Sequence, residues 1–399
     1  MVGVEIFIGE IEFMTIKTMG FPGRYIQGPG ALEEIPDLLK SFNANNVVVI
    51  LDEVVNKING EYLQKTLSKA GIRINFVLFP GEIMPEVVSQ MANQVSNLNA
   101  DIVLGFGGGK TIDSAKWIAF NCKLPLFILP TIASNDSPTS RLIVIYDELH
   151  RVSSVDYMVR NPDVVIVDTT IISRAPLRFF VAGLGDALSK KFEAAQCFSN
   201  QGKNFFGTPS LATARLLADK CYETIIEYGE EAVKQLKQHQ SPNEAVERAI
   251  EASVLLSGLG FESAGLSLAH ALTRGFTAHP IITKFLHGEI VAFGSIVQLI
   301  AEDRSINEIE AHIKFCCSLG LPVSFKSFGI SQLNLLELED IASKTMNAPY
   351  INNLNPKATN KRTTTGEMTS RAMKLLDTHI VLGLLGSVSV NSKSSPLKT

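Results

Sequence analysis

The stretch GFGGGKTIDSAK, residues 105–116, ends an apolar run with four glycines in five positions and then turns to Lys-Thr. That much bare backbone has four readings: an ATP-type phosphate loop, a dinucleotide turn, some other phosphate-cradling loop, or a plain strand-to-helix turn. The NTPase loop G-x-x-x-x-G-K-[ST] needs its first glycine at position 104, which is Leu104. The Rossmann pattern G-x-G-x-x-G places its last glycine where Lys110 stands, and the next strand ends in Pro130-Thr131 without the acid that pattern requires. Neither standard loop fits, so the surroundings decide.

Outward from the loop, short wholly apolar segments alternate with amphipathic ones. NNVVVILD (45–52), IRINFVLFPG (72–81), ADIVLGF (100–106) and PLFILPT (125–131) read as strands. The segments 58–71, 86–98 and 111–122 between them read as helices. Unbroken apolar strands separated by helices imply a parallel sheet covered on both faces. RLIVIY (141–146) and DVVIVDTTII (163–172) add two more strand-like runs, after which the character changes. From Ala175 the chain is helical in pattern, with long stretches at 211–236 and 243–276. The expected organisation is an α/β N-terminal domain over 14–175, with a parallel Rossmann-like sheet, and an all-α domain over 176–385. A Ser-, Lys- and Pro-rich tail (386–399) is expected to fray. A cleft between the two halves is where a ligand is expected.

Composition limits the function classes. The chain has 399 residues, 46% hydrophobic and 19% charged, with a net charge of −4. That balance offers no general attraction to nucleic acid or acidic lipid, and no basic stripe compensates. The five cysteines form no C-x-x-C pair and imply reduced thiols and a cytoplasmic setting. No apolar run reaches the roughly 20 residues of a membrane span.

Asp52, at the end of the 45–52 run, lies upstream of the glycines. Because every strand of a parallel sheet delivers its carboxyl end to one edge, Asp52 and the glycine loop are able to grip one dinucleotide. The acid would take the ribose hydroxyls, and the start of helix 111–122 would face the pyrophosphate. An acid there favours NAD over NADP. On spacing alone, Asp52 reads equally well as a helix cap, with the glycines merely turning the chain.

The loop, together with PTIASNDSP (130–138), NPDVVIVDT (161–169), APLRFFVAGLGDALSKKFEA (175–194) and HGEIVAFG (287–294), resembles the glycerol dehydrogenases of the iron-containing (type III) alcohol dehydrogenase superfamily. The likeness runs in order from about Ile26 to about Pro322. It implies a dehydroquinate synthase-like architecture and oxidation of glycerol, or a related vicinal diol, by NAD. For the cofactor it implies Asp52, Gly107, Gly108, Gly109, Lys110, Thr111, Asp113, Thr131, Ser134, Ser140, Leu142 and Tyr146. The expected partners are a polyol and further copies of the chain, with no nucleic acid and no membrane.

No metal spacing such as H-E-x-x-H occurs among the seven histidines. His270, among small residues on an apolar helix, and His287, opening HGE, stand out by context, as does Asp186 in VAGLGDAL. By resemblance these three bind one catalytic divalent ion next to the polyol; one carboxylate and two imidazoles suit zinc or ferrous iron, and zinc is the expected ion. The ion would lower the pKa of the substrate hydroxyl so that hydride can leave its carbon. Asp136 falls at the position that meets substrate hydroxyls; read by itself it is a turn aspartate. The family often has Ser-Thr-Asp where this chain has Ser134-Asn135-Asp136. His279 is expected outside the ligand set, and the 348–368 segment is more polar than the family pattern. The first dozen residues extend beyond the usual start, so Met14 is the alternative initiator. The alternatives within the superfamily, a dehydroquinate-synthase-like lyase or a glycerol-1-phosphate dehydrogenase, would need more basic residues near Asp186 than Lys190 and Lys191.

Overall fold

The computed structural model of the chain describes residues 15–146, 152–331 and 333–354. The expectations attached to Met14, to 355–368 and to the 386–399 tail, together with His150 and His379, lie outside the described residues.

Among the described residues there are eight strands: β1 (Tyr25–Gly28), β2 (Asn46–Leu51), β3 (Arg73–Leu78), β4 (Ile102–Gly107), β5 (Leu126–Pro130), β6 (Leu142–Tyr146), β7 (Val152–Tyr157) and β8 (Val164–Asp168). Six form one sheet in the order β1-β8-β5-β4-β2-β3, with every neighbouring pair parallel. The helices α1 (Ile35–Ser41), α2 (Glu53–Val55), α3 (Glu61–Lys69), α4 (Pro85–Ser96) and α5 (Gly109–Cys122) alternate with β1 to β5. Both faces of the central strands are buried, which is why their sequences carry no polar alternation. Val47, Val49 and Leu51 of β2 belong to the core under α1 and α3, whereas Val48 and Ile50 belong to the core shared with α4 and α5.

The RLIVIY run does form a strand, but outside the main sheet. β6 pairs antiparallel with β7 in a two-stranded ribbon. β7 (VSSVDY) is largely exposed, and β1 is four half-buried residues, so neither carries an apolar signature in the sequence.

After β8 come α6 (Thr169–Arg174), α7 (Leu177–Leu188), α8 (Lys190–Ser199), α9 (Ala212–His239), α10 (Glu244–Ile250), α11 (Ser257–Ala264), α12 (Leu268–Phe276), α13 (His287–Ala301), α14 (Ile306–Leu319) and α15 (Leu335–Thr345). The 243–276 stretch, expected as one helical pattern, is broken. A π-helical turn, Glu251–Leu256, joins α10 to α11, and a 97° bend separates that rod from α12. The bend uses Gly265 at φ +93°, a conformation that glycine adopts readily and other residues rarely do. Among the described residues no single helix is long and apolar enough to cross a membrane. All five cysteines are unpaired.

Candidate active site

Successive connections diverge on either side of the β2–β4 pair: β3 follows β2 outward, and β5 follows β4 on the opposite side. In open parallel sheets such a point forms a crevice at the carboxyl ends of the strands. Leu51 lies beside Phe106 in the ladder, so Asp52 and Gly107 emerge together. None of the four loop glycines has positive φ. Their role is close approach: a Cβ on Gly107 would stand 2.7 Å from Thr111 Cβ, and one on Gly105 2.7 Å from Ala115 Cβ. Missing side chains thus let α5 descend onto the strand ends, where its first N–H groups form an anion-binding end. Asp52 caps a helix and also touches the glycine loop. Its Oδ1 accepts from the Val55 N–H at 2.9 Å, capping α2, and its Oδ2 accepts from the Thr111 hydroxyl at 3.4 Å, against the loop. Lys110 pairs with Glu82 at 2.7 Å on the same rim.

Lys116, fully buried, ties α5 to the next loop. Its ammonium donates to Asp113 Oδ1 (3.1 Å), the Ser137 carbonyl (2.7 Å), Ser140 Oγ (3.4 Å) and the Leu142 carbonyl (2.8 Å). Asp113 also accepts from Ser137 Oγ and from the Val144 N–H. Asp113 and Ser140, expected at the cofactor, therefore have their polar atoms engaged within the fold and support the 131–142 loop from beneath. Thr131 closes β5 against the glycine loop through its N–H to the Gly107 carbonyl at 3.0 Å. Leu142 is buried against Phe261 and Leu266 of the helical half. The Tyr146 side chain lies outside the described residues.

The 131–142 loop joins the two halves. A Cβ on Gly109 would lie 2.8 Å from Asn135 Nδ2, and a Cβ on Gly183 would overlap the Ala133 carbonyl and press on Ser134. From the glycine loop to α7 there is thus a continuous path of contacts, ending near Asp186 in the last turn of α7. The N-terminus of α13 then packs on α7 at Gly288, where any Cβ would overlap the Ala182 carbonyl. This brings His287 next to Asp186.

The sharp bend at Gly265 supplies the third side chain. It leaves the first N–H groups of α12 without helical partners, and buried acceptors from neighbouring helices take them. Glu193 Oε1 accepts from the Ser267 and His270 N–H groups, each at 2.9 Å, and Gln298 Oε1 accepts from Ala269 N–H at 2.9 Å. The other Glu193 oxygen meets His270 Nδ1 at 2.5 Å, which fixes the ring and turns Nε2 toward Asp186. His270 Nε2 lies 3.1 Å, and His287 Nε2 3.9 Å, from Asp186 Oδ1. Donor atoms of Asp186, His270 and His287 all fall within 4.8 Å of one another, as one coordinated ion requires.

The electrostatics fit a cation at this point. With Nδ1–H committed to Glu193, a neutral His270 directs its Nε2 lone pair toward the Asp186 carboxylate, and the Lys190 ammonium, 2.6 Å from Asp186 Oδ1 and 3.1 Å from Nε2, is the cation that lies between them. Asp186 Oδ2 is fully buried and has no hydrogen-bond partner. Burial alone would push the Asp186 carboxyl up, but Lys190, followed by the two imidazoles, holds it well below the usual carboxylate range. Burial likewise opposes ionisation of Glu193, and His270 and Lys190 overcome it. Asp136 is buried 3.2 Å from the Lys190 ammonium and 2.6 Å from Ser257 Oγ. Burial and then the Asp186 charge raise its pKa, and Lys190 and Ser257 partly offset the rise. For His270, burial works against protonation but Glu193 prevails, so its pKa is raised. His287 is shifted down, first by the surrounding protein; its side chain keeps 48% of its exposure toward the open side, where solvent moderates that effect. Three carboxylates (Asp136, Asp186, Glu193) against one ammonium leave two buried negative charges, which a divalent ion would neutralise.

Glu193, Lys190 and Ser257 are the members of this site that reading for ligands missed. Lys190 and Glu193 lie four and seven positions from Asp186, on adjoining helical turns, and that spacing was the available signal. His279 stays partly exposed, outside the cluster, where its Nδ1 accepts from the Ile281 N–H at 3.3 Å. Tyr350, at the start of the polar 348–368 segment, reaches the His270 carbonyl at 3.5 Å.

The sequence matches the family profile for iron-containing alcohol dehydrogenases over residues 22–169. It is 41% identical to the glycerol dehydrogenase of Thermotoga maritima, over 82% of this chain and 89% of that one. It is 38% identical to the glycerol dehydrogenase of Citrobacter freundii, over 83% and 88%. The crystal structure of glycerol dehydrogenase from Schizosaccharomyces pombe superposes with a TM-score of 0.88 at 30% identity, covering 96% of this chain and 98% of that one.

Proposed function

As a member of the iron-containing alcohol dehydrogenase family, with glycerol dehydrogenases as its matched relatives and their dehydroquinate synthase-like architecture, the chain is an oxidoreductase, and we propose that it oxidises glycerol to dihydroxyacetone with NAD. The observation that carries this reading is the meeting of Asp186, His270 and His287 across a short loop from the glycine turn, with Asp136 beside them.

Asp186, His270 and His287 would hold one divalent ion, and two imidazoles with one carboxylate suit zinc better than a harder ion. The ion supplies Lewis acidity toward a hydroxyl, and the dinucleotide supplies the two-electron acceptor. Glu193 orients His270. Asp136, buried and with its Oδ2 held by Ser257 and Lys190, accepts from the hydroxyl next to the reacting carbon, a hydrogen bond that a monohydric alcohol cannot supply. For NAD we assign Asp52 to the ribose and Gly107, Gly108, Gly109, Lys110 and Thr111 to the pyrophosphate. Thr131, Ser134, Leu142 and Tyr146 take the nicotinamide side, with Asp113 and Ser140 beneath them. The unpaired cysteines support a cytoplasmic setting, and a homo-oligomer is the proposed assembly.

The lyase and glycerol-1-phosphate readings need cationic side chains for a phosphorylated substrate. Of the two lysines after Asp186, Lys190 is held by Asp186 and Asp136, and Lys191 turns away to lie 4.8 Å from the Tyr222 ring centroid.

Mixing the protein with glycerol and NAD at alkaline pH should produce NADH absorbance. A chelator should abolish the signal and zinc restore it, and 1,2-propanediol should outrun 1-propanol. No NADH from any vicinal diol rejects the assignment. The preference for NAD should also depend on the Asp52 charge. Asp52→Gly, or Asp52→Asn, which keeps the helix cap, should move the NAD:NADP ratio of kcat/KM toward NADP by about tenfold, the ~1.4 kcal/mol expected of one screened charge pair. An unchanged ratio in both variants removes Asp52 from the ribose.

A further inference from the structure

Lys190 has no part in the ligand set, yet it lies at its centre. It follows Asp186 by one helical turn across the α7–α8 junction, and its side chain is fully buried. The ammonium is 2.6 Å from Asp186 Oδ1, 3.1 Å from His270 Nε2 and 3.2 Å from Asp136 Oδ2. It therefore contacts two of the three groups that a divalent ion would need, in the place where their lone pairs converge. A doubly charged ion and an ammonium cannot share that contact without strong repulsion in so dry a site. Nor can the lysine leave, because its stem is enclosed. Without it, the carboxylates of Asp136, Asp186 and Glu193 would exceed the charge of a divalent ion by one. A short move toward Asp136, already within ion-pair distance, relieves the first problem and avoids the second.

We propose that Lys190 is an internal counter-ion that holds Asp186 and His270 together before a metal ion binds and withdraws to Asp136 when it does, so that it sets the metal affinity of the site. This rests on the metal reading above. It differs from a simple bracing role in the sign of one effect: a brace, once removed, weakens metal binding, whereas a competitor, once removed, strengthens it.

The test is zinc titration of the metal-stripped full-length chain against a chromophoric chelator, comparing the native sequence with Lys190→Met. The variant should bind zinc about tenfold or more tightly, since one repelling charge at contact distance is gone. Its unfolding temperature without zinc should fall, because Asp136 and Asp186 lose their partner, and the rise on adding zinc should exceed that of the native chain. If Lys190→Met does not stay folded without zinc, the comparison moves to Asp136→Asn against Asp136→Asn/Lys190→Met, a pair that removes one charge of each sign. The double variant should again bind the more tightly. Equal or weaker zinc binding after loss of the lysine overturns the proposal and leaves the metal site standing. Failure of the native chain to bind zinc at all overturns both.

Discussion

Asp186→Ala should lower kcat with glycerol and NAD by about three powers of ten, the rate equivalent of the several kcal/mol that a Lewis acid contributes to such a step. His270→Ala should do the same. The two variants disturb different neighbours, so the shared loss is informative. In Asp186→Ala, Lys190 keeps Asp136 as partner. In His270→Ala, Glu193 keeps the Ser267 and His270 N–H groups. Both should therefore remain folded by circular dichroism while retaining no stoichiometric metal. Turnover unchanged in either variant would remove that residue from the ligand set.

Gly288→Ala should destabilise the fold by about 3 kcal/mol, the upper end of the range for overpacking, because the new methyl meets the backbone of two successive turns of α7. Ala182 presents its carbonyl and Asp186 its N–H, at 3.1 Å from the added Cβ, so no side-chain rotation relieves the contact. Here α13 must move off α7, which carries His287 away from Asp186. Chemical denaturation should show the lost stability. Zinc affinity should fall in parallel, although no donor atom has been changed. A variant of native stability and native affinity would show that the close approach of α7 and α13 does not set the His287–Asp186 distance.

How much of this was legible in the sequence varied with the range of the interactions. The β2 to β5 strands and their covering helices follow from local apolar periodicity, and the glycine loop announces close packing by composition. β7 shows only an exposed polar pattern, and β1 is too short to show any, since both exist through pairing with distant partners. The bend at Gly265 was hidden because the segments on either side both read as helix, and the buried N–H groups it leaves without helical partners are taken by Glu193 and Gln298 from neighbouring helices. The ligand set has no spacing signature: Asp186, His270 and His287 come from three helices and converge through tertiary packing alone. Resemblance to a family could point to those positions, but it could not indicate Lys190 among them, because the position of its ammonium emerges only once α7, α12 and the 131–142 loop are assembled.

On the proposed reading, one divalent ion held by Asp186, His270 and His287 faces the carboxyl edge of the sheet where the dinucleotide would lie. Metal analysis of active, chelator-free protein tests it most directly, with His270→Ala measured alongside. One divalent ion per chain in the native protein and none in the variant is the expected result. Full activity in protein without a bound ion, or an ion retained by His270→Ala, would contradict it.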